Sequence, residues 1–478
     1  MRISLSFVPT AIINLIKRID SAGGRGLLVG GSVIDIINSR EIKDWDIEVF
    51  GLGWDQLEVL FSDLNPKTVG KAFGIMKINV DGLDVDLNIP RRDNKVGVGH
   101  ADFEVTMDPT MSVREAARRR DFTINTLAMD LSTGLVIDEW GGLSDLHAGI
   151  LRATDPELFV QDPLRGLRAM QLLARKAKVV DPATMLLIKS MAPEFKHLPP
   201  ERIGEEFKKL RKAVRPSVGL EFLVDSTWIQ NFPVLEKLRG CGQSPEWHPE
   251  GDVWVHSLLA ADAAAELRGS MPEEDHEVIF FSALLHDVGK PETTITPEMV
   301  ENGEAPKEML WTAHGHDRKG MDPADQFLQQ LTGEDGAKKF RRKVTRLVGE
   351  HMQPWSLTSG EAKQGAWSRL HRKLEADGVT LRHLASVCQC DSCATSVDWR
   401  SRSLKTGEPN WDHKTSQKVL DWAWEFENQP PDPKVQGRDL IARGMRPGRE
   451  FGVILKKCLE LQDANPTWGV QELIDAAT

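Results

Sequence analysis

Residues 43 to 50 read Lys43-Asp44-Trp45-Asp46-Ile47-Glu48-Val49-Phe50. Side chains alternate between the two faces of a β-strand, so Asp44 and Asp46 point the same way, with Cα atoms roughly 6.5 Å apart. Trp45, Ile47 and Val49 fill the opposite, apolar face. Two carboxylates in this arrangement can hold a pair of Mg²⁺ ions about 4 Å apart. The stretch therefore predicts a strand that carries a two-metal site.

A turn suited to phosphate precedes this strand. Leu27-Leu28-Val29 is a short apolar run, Gly30-Gly31-Ser32 follows it, and Val33 to Ile37 is predicted to open a helix. Glycine lets the backbone approach a ligand closely, and unpaired N–H groups at the start of a helix suit a triphosphate. Taken singly, Gly-Gly is usually a simple turn and Asp-x-Asp the solvated face of a strand. Their order and spacing together favour a nucleotide-polymerising centre.

Composition limits the class of protein. At 478 residues the chain is too long for one hydrophobic core, so several domains are expected. The formal net charge of −11 argues against indiscriminate coating of nucleic acid, so any polynucleotide contact must be a local basic patch. Residues 3–16 are predicted to form an amphipathic helix rather than a signal peptide. No apolar run is long enough to span a membrane, so no membrane partner is expected.

Cysteine and tyrosine usage adds two expectations. Five cysteines, an odd number in a chain with ample core, favour a reducing cytoplasm over a disulfide framework. A metal cluster at Cys388, Cys390 and Cys393 is the weaker alternative, because no second Cys or His group stands at matching spacing. The chain has 14 Trp and no Tyr, so stacking on bases must use Trp, Phe, His or Arg planes.

Strand and helix patterns divide the chain. The predicted strands are Gly26–Val29, Trp45–Phe50, Gly74–Val80, Leu83–Ile89 and Leu135–Asp138, and the pattern beyond residue 150 is helical. Breakers at 241–251 and 430–433 mark boundaries, and residues 296–307 are predicted to form a loop. We therefore expect an α+β head (1–150), an all-α neck (151–240), a helical body (241–429) and a tail (430–478).

Other polar groups of the head and neck also suit a nucleotide. Asp84 and Asp86 share one face of the run 83–89, and we expect Asp86 to complete the metal site, with a solvated strand face as the alternative. The stretch Arg118-Arg119-Arg120-Asp121-Phe122-Thr123-Ile124-Asn125 can bind triphosphate oxygens and a ribose hydroxyl. Asp162 and Arg165 lie on one helix face and could form a salt bridge or read the Watson–Crick edge of a base.

Six motifs follow one another along nearly the whole chain: Gly30-Gly31-Ser32-Val33, Asp44-Trp45-Asp46, residues 119–125, residues 141–146, residues 162–165 and Glu201-Arg202-Ile203. This series resembles the bacterial tRNA nucleotidyltransferase (CCA-adding) and poly(A) polymerase family, class II of the polymerase β-like nucleotidyltransferases. The resemblance implies a polymerase β-like head with a small mixed sheet. It also implies metal-dependent transfer of NMP from CTP or ATP to an RNA 3′ end without a nucleic-acid template.

The resemblance assigns roles by position. Asp44 and Asp46, joined by Asp86, would be the catalytic carboxylates that bind Mg²⁺. The nucleotide-binding positions would be Gly30, Gly31, Ser32, Arg119, Arg120, Asp121, Asn125, Asp162, Arg165 and Arg168. Two residues depart from the family pattern, because Ile34 replaces an Arg and Gln161 replaces a Glu. We expect the first change to remove a phosphate or structural contact and the second to remove a charge beside Asp162.

The body carries a second set of metal-ligand types. His256, His286-Asp287 and Asp391 resemble the HD phosphohydrolase superfamily, which implies that they bind a divalent transition metal. Histidines 314, 316 and 351 are further candidates. The functional interpretation is phosphatase or 2′,3′-cyclic phosphodiesterase activity, and the alternative is a purely structural body.

Three functions remain open from the sequence. CCA addition to tRNA is preferred, poly(A) polymerisation is the nearest alternative, and an HD phosphohydrolase with a degenerate head is the third. Basic residues of the neck and the tail segment 436–452 are expected to contact tRNA. The sequence leaves the oligomeric state open.

Overall fold

The computed structural model describes residues 1–40, 42, 44–67, 74–95, 103–395, 413–428, 433–465 and 467–478. The described chain forms two compact units, residues 1–206 with 218–231, and residues 207–217 with 232–478. The predicted boundary between body and tail, at residues 429 and 430, lies outside the described residues.

The first unit contains a mixed sheet. The strands of the chain are β1 (Arg25–Val29), β2 (Trp45–Phe50), β3 (Ile75–Val80), β4 (Leu83–Asn88), β5 (Arg91–Lys95), β6 (Phe103–Met107), β7 (Ala128–Asp130), β8 (Leu135–Ile137), β9 (Ile150–Leu151) and β10 (Val179–Val180). Six of them form one sheet in the order β3-β4-β2-β1-β7-β8, and β5–β6 and β9–β10 form separate pairs. In the large sheet β2 and β4 are parallel, and the other neighbours are antiparallel.

The centre of this sheet follows from the sequence pattern. Trp45, Ile47 and Val49 of β2 are buried, as strict alternation predicts. Leu28 of β1 lies on the same face, because it pairs with Ile47 across the antiparallel ladder. Leu27 pairs with Glu48 on the opposite face and packs in a core cluster with Val29, Phe50, Ala116 and Ala128. The predicted α+β head with a small mixed sheet is confirmed.

Helices surround the sheet and make up the rest of the chain. In the first unit they are Thr10–Ser21, Gly31–Ile37, Trp54–Leu60, Val113–Arg118, Gly142–Ala148, Pro156–Phe159, Leu164–Lys176 and Pro182–Met191. Two helices contribute residues to both units, Pro200–Leu210 and Pro216–Asp225. Short 3₁₀ helices are Ser62–Leu64, Thr123–Thr126, Ala192–His197, Trp228–Asn231 and Lys307–Met309.

The second unit is helical throughout its described residues. Its helices are Pro233–Glu236, Val253–Glu266, Glu273–Leu285, Lys290–Thr293, Pro297–Glu301, His316–Lys319, Met321–Thr332, Lys338–Glu350, Gln353–Ser359, Gln364–Glu375, Leu381–Ala394, Lys414–Asn428, Gly437–Ala442, Arg449–Ala464 and Val470–Ala477. Cys388, Cys390 and Cys393 are buried on Leu381–Ala394. The groups of potential metal ligands found among the described residues do not include them.

Three local predictions are wrong. The N-terminal helix spans Thr10–Ser21 rather than 3–16, because Pro9 begins it and the Ile3 N–H donates instead to the Gly134 carbonyl at 2.8 Å. The predicted loop 296–307 contains the helix Pro297–Glu301, whose first turn is capped by the Thr296 hydroxyl. Strands β5, β6 and β7 were not predicted.

The hydropathy of the helices bears on the expectation that no segment spans a membrane. Within the described ranges, no helix combines the length and the apolar character needed to cross a membrane.

Candidate functional site

The acidic residues of β2 and β4 lie side by side in the first unit. Asp46 of β2 stands directly opposite Asp86 of the parallel strand β4, and Asp44 is exposed just before β2 begins. Asp84 is exposed farther along β4 and accepts a hydrogen bond from Asn79 Nδ2 at 2.8 Å. The register therefore brings Asp86, rather than Asp84, to Asp46.

Electrostatics at this carboxylate pair favour a cation. Burial and the neighbouring charge of Asp86 raise the pKa of Asp46, and the charge of Asp44 adds to the effect. Lys77 Nζ lies 2.9 Å from Asp86 Oδ2 and offsets part of the negative charge. Carboxylate oxygens are the ligands that Mg²⁺ prefers, so this donor set fits a magnesium site.

The glycine turn lies beside the same strand. Gly30 has φ of 67°, a left-handed conformation that favours glycine, and the helix Gly31–Ile37 begins at the next residue. A Cβ placed on Gly31 would meet no atom within 4 Å, so the backbone there is open to a ligand. Ser32 Oγ instead donates to the Asp44 carbonyl at 2.9 Å, which ties the turn to the start of β2.

The two arginines that follow in the motif meet a third acidic residue of β2. Glu48 is 2% exposed, and its carboxylate lies 3.3 Å from Arg119 Nη2 and 3.1 Å from Arg120 Nη2. Arg120 Nη1 also donates to the Asn125 carbonyl at 3.2 Å. Sequence reasoning missed Glu48 as a site residue, although its place on the Asp44 and Asp46 face of the strand was a usable signal.

Asp121 is the centre of a polar network. It is 5% exposed and accepts from Asn125 Nδ2 at 2.8 Å and from Arg168 Nη1 at 2.9 Å. Burial alone would raise the pKa of Asp121, but the charge of Arg168 and the Asn125 hydrogen bond hold it below its usual value. The structure thus brings together three of the predicted nucleotide-binding residues.

Asp162 lies just before the helix Leu164–Lys176 and Arg165 lies on it, so the prediction that both share one helix face is wrong. Asp162 Oδ1 accepts from the Leu164 N–H at 3.1 Å. Arg165 donates to the carbonyls of Leu158 at 2.9 Å and Arg119 at 2.7 Å. The second bond joins Arg165 to the same segment that carries the Glu48 partners.

One of the two departures from the family pattern receives a structural explanation. Ile34 is fully buried in the helix Gly31–Ile37, so position 34 faces the core and not the open side of the glycine turn. The isoleucine therefore contributes packing to the core of the first unit. Nothing in the structure explains the effect of Gln161.

The second unit contains a buried cluster of imidazoles and carboxylates. Nε2 of His256 lies 3.1 Å from Nε2 of His286 and 3.1 Å from Asp391 Oδ1. Nε2 of His316 lies 3.2 Å from Asp287 Oδ1 and 3.1 Å from Nε2 of His351. Three groups of residues that could hold a metal ion are found among the described residues: His248, Glu250 and His256; His256, His286 and Asp287; and Asp287, His316 and His351. Asp287 belongs to the last two.

Backbone carbonyls fix the orientation of three of these histidines. Nδ1 of His286, His316 and His351 lies within 2.8 Å of the carbonyls of Ala283, Ala313 and Val348, respectively. A carbonyl only accepts, so we assign the ring proton to Nδ1, which leaves the Nε2 lone pair toward the shared centre. Burial and the charges of His316 and His286 lower the pKa of His351 to about 3, which keeps it neutral as a metal ligand must be.

His256 is oriented by a carboxylate. Its Nδ1 lies 2.6 Å from Glu250 Oε1, which also lies 2.9 Å from His248 Nδ1. Burial acts to lower the pKa of His256, but the hydrogen bonds to Asp391 and Glu250 raise it to about 9. His314, a further candidate from the sequence, lines a neighbouring cavity of about 490 Å³ together with His316, Met352 and Trp355.

Family models match three segments of the chain. Residues 27–152 match the poly A polymerase head domain, residues 179–238 a probable RNA and SrmB-binding site of polymerase A, and residues 253–395 the HD domain. The carboxylate pair lies in the first segment and the imidazole cluster in the third.

Solved structures with the same fold include two bacterial enzymes. The Thermotoga maritima CCA-adding enzyme complexed with tRNA_CCA has a TM-score of 0.56 at 17% identity, covering 99% of this chain and 96% of that one. The Bacillus stearothermophilus CCA-adding enzyme in complex with CTP has a TM-score of 0.56 at 18% identity, covering 98% and 97%.

Curated relatives are more similar in sequence. The multifunctional CCA protein of Stenotrophomonas maltophilia (strain R551-3) is 35% identical over 332 residues, 68% of this chain and 75% of that protein. The multifunctional CCA protein of Xanthomonas campestris pv. campestris (strain B100) is 34% identical over 376 residues, 76% of this chain and 84% of that protein. With this identity over most of both chains, the protein belongs to the multifunctional CCA protein family.

Proposed function

We propose that this protein adds the CCA sequence to tRNA 3′ ends, using CTP and ATP as nucleotide donors. The observation that carries the proposal is the pairing of Asp46 with Asp86 beside the Gly30–Gly31 turn. It occurs in a chain related over most of its length to multifunctional CCA proteins. Membership of this family and the nucleotide-binding donor set point to the same reaction.

Asp44, Asp46 and Asp86 are the proposed catalytic carboxylates. Mg²⁺ ions, when bound there, would align the 3′-hydroxyl with the α-phosphate and stabilise the entering and leaving oxygens. The protein's own contribution is to hold the carboxylates in register on β2 and β4, where their mutual repulsion favours a cation. The Ser32 hydroxyl fixes the backbone at Asp44, which keeps the turn and the strand together.

The incoming nucleotide is proposed to lie between the glycine turn and the arginines. Gly31 offers its backbone N–H, whereas the Gly30 N–H already donates to the Leu127 carbonyl at 3.0 Å, so Gly30 contributes its left-handed backbone conformation. Arg119 and Arg120 offer guanidinium donors to triphosphate oxygens. Asp121 and Asn125 are joined by a hydrogen bond and present a polar group to the ribose.

Base selection is proposed for the neck, assigned to residues 151–240, through Asp162, Arg165 and Arg168. An acceptor just before the helix Leu164–Lys176, Asp162, and a donor on it, Arg165, can pair with cytosine or adenine after a small shift. G and U would leave buried polar groups unpaired, which is the most effective way to reject a wrong base. The fixed hydrogen bonds of Arg165 to Leu158 and Arg119 support a rigid reader.

One assay tests the transfer function. The wild-type protein is incubated with Mg²⁺, tRNA lacking its terminal triplet, and CTP and ATP, offered singly and together. Addition of three nucleotides only when both are present is expected. Long A tails would instead indicate poly(A) polymerase, and no incorporation would leave only the hydrolase alternative. Asp46→Ala is expected to abolish incorporation, because it removes the central carboxylate of the site.

Phosphohydrolysis in the body, assigned to residues 241–429, is a second candidate function. The specific observation in its favour is that Asp287 is shared by two groups of potential ligands, one with His256 and His286 and one with His316 and His351. Nitrogen and carboxylate donors of this kind suit divalent transition metals, and the expected substrates are phosphate esters at damaged RNA 3′ ends. The tail, assigned to residues 430–478, is proposed to contact tRNA.

Metal content tests this second function directly. Wild-type protein dialysed against Ni²⁺, Co²⁺ or Mn²⁺ is expected to retain about two ions per chain, as a shared carboxylate site predicts. Asp287→Ala should lose both, whereas His351→Ala should keep the ion bound by His256 and His286. Equal retention by wild type and Asp287→Ala would contradict the proposal.

A further inference from the structure

The third acidic residue on β2 is placed unusually for a charged group. Glu48 follows Asp46 by two positions, so it lies on the same strand face, yet it is almost completely buried. Burying a carboxylate is costly unless partners satisfy it, so its neighbours must explain why it is there.

Each oxygen of Glu48 meets a different arginine. Oε1 lies 3.3 Å from Arg119 Nη2, and Oε2 lies 3.1 Å from Arg120 Nη2. The two arginines are consecutive in sequence, and their like charges would drive the guanidinium groups apart without an anion between them. Glu48 therefore selects one arrangement of both side chains.

That arrangement places Arg120 at the glycine turn. Its Nη1 lies 3.2 Å from the point where a Cβ on Gly30 would stand. Its Nε is buried and has no hydrogen-bond partner within the described part of the chain. A donor without a partner at this position is suited to an oxygen of a bound ligand.

We infer that Glu48 is a positioning residue for nucleotide transfer, because it pairs with both Arg119 and Arg120 and holds Arg120 against the Gly30 turn, where the Arg120 guanidinium group receives the triphosphate. This inference rests on the proposed transfer function. Guanidinium groups bind phosphate oxygens through paired hydrogen bonds whose geometry must be set in advance. Glu48 supplies that geometry and does not itself touch the substrate.

Glu48→Gln tests the inference at nearly constant volume. The amide keeps one acceptor oxygen but presents N–H groups to the other arginine, so one guanidinium group is released. We expect KM for CTP and for ATP to rise about 10- to 100-fold, the loss typical of one charge-assisted hydrogen bond, with kcat little changed. Binding of a fluorescent CTP analogue should weaken by a similar factor without turnover. Glu48→Asp keeps the charge and should retain part of the affinity.

Two comparisons keep the result interpretable. Asp130 and Arg25 form a carboxylate–arginine pair in the same sheet, 3.1 Å apart and outside the glycine turn. Asp130→Asn breaks this pair and should leave KM unchanged. In an Arg120→Lys background, Glu48→Gln should cost less than in wild type, since the two residues act as a unit.

Distinct outcomes separate the inference from the proposed function. A wild-type protein that incorporates neither CMP nor AMP would overturn the transfer function itself. If wild type is active, and folded Glu48→Gln shows unchanged KM and CTP binding even with a lower unfolding temperature, only the role of Glu48 is overturned. If Glu48→Gln does not fold, the same measurements on Glu48→Asp decide, and an unchanged KM there counts against the inference.

Discussion

The charge of Asp121 is stabilised by its neighbours in the first unit and in turn stabilises the folded state. Its carboxylate is balanced by Arg168, and its second oxygen accepts from Asn125 and from the Phe122 N–H. The pKa of Asp121 in the folded protein is lower than its unfolded value of 3.8, because burial, which raises it, is outweighed by the charges of Arg168 and Arg165 together with the hydrogen bonds from Asn125 and Arg168. Folding is therefore favoured while the carboxylate is ionised, and this contribution is lost as the pH falls through the folded pKa.

Asp121→Asn should lower the free energy of unfolding by about 1.5–3 kcal/mol at neutral pH, because Arg168 loses its charged partner. The difference from wild type should shrink as the pH falls below about 4, where the wild-type carboxylate also becomes protonated. Urea unfolding at neutral pH and at a pH below about 4 measures this difference in the free energy of unfolding. Asp81→Asn, an exposed turn residue at φ 52°, is the matched control and should change little. An unchanged difference between the two pH values would contradict the argument.

At the scale of elements, alternation along β2 could be predicted because it depends only on local spacing. The buried side of Trp45, Ile47 and Val49 follows from that spacing, and so does the common face of Asp44 and Asp46. The burial of Glu48 could not be predicted in the same way. Its partners Arg119 and Arg120 lie about 70 residues away in sequence and meet it only after the sheet has formed.

The body also shows that contacts between residues distant in sequence could not be predicted. The His286-Asp287 pair is local and identifiable, whereas the match of His316 and His351 to Asp287 depends on the packing of separate helices. Ile34 is a further case, because the side of the helix Gly31–Ile37 that faces the core decides whether an altered residue touches a ligand. Local pattern therefore fixes element type, and tertiary register decides which polar groups share a site.

The loop that precedes the helix Val253–Glu266 contributes to the body through Glu250. A carboxylate on the Nδ1 side of a metal-binding histidine fixes the ring and raises its basicity. Glu250→Gln should therefore weaken Ni²⁺ binding about 10- to 100-fold, as measured by equilibrium dialysis. Glu274→Gln, an exposed change in the first turn of Glu273–Leu285, serves as the control. Wild-type affinity in Glu250→Gln would show that His256 is held by other contacts.

At the scale of the whole molecule, each compact unit contains one complete group of candidate catalytic residues. The carboxylate pair and its arginines lie within residues 1–206, and the imidazole cluster lies within residues 232–478. The described contacts of each group are made by residues of the same unit. The two chemistries should therefore fail independently when either site is altered.

His286→Ala should abolish metal-dependent hydrolysis of a 2′,3′-cyclic nucleotide while CCA addition stays at the wild-type rate, because the described hydrogen-bond and ion-pair partners of His286 all belong to the second unit. Asp46→Asn should produce the reverse pattern, since it leaves every imidazole in place. Both activities are measured on one preparation of each variant, with exposed His147→Ala as a control for loss of a histidine. Loss of CCA addition in folded His286→Ala would show that the units are coupled, because hydrolysis at the second site would then be needed for transfer at the first.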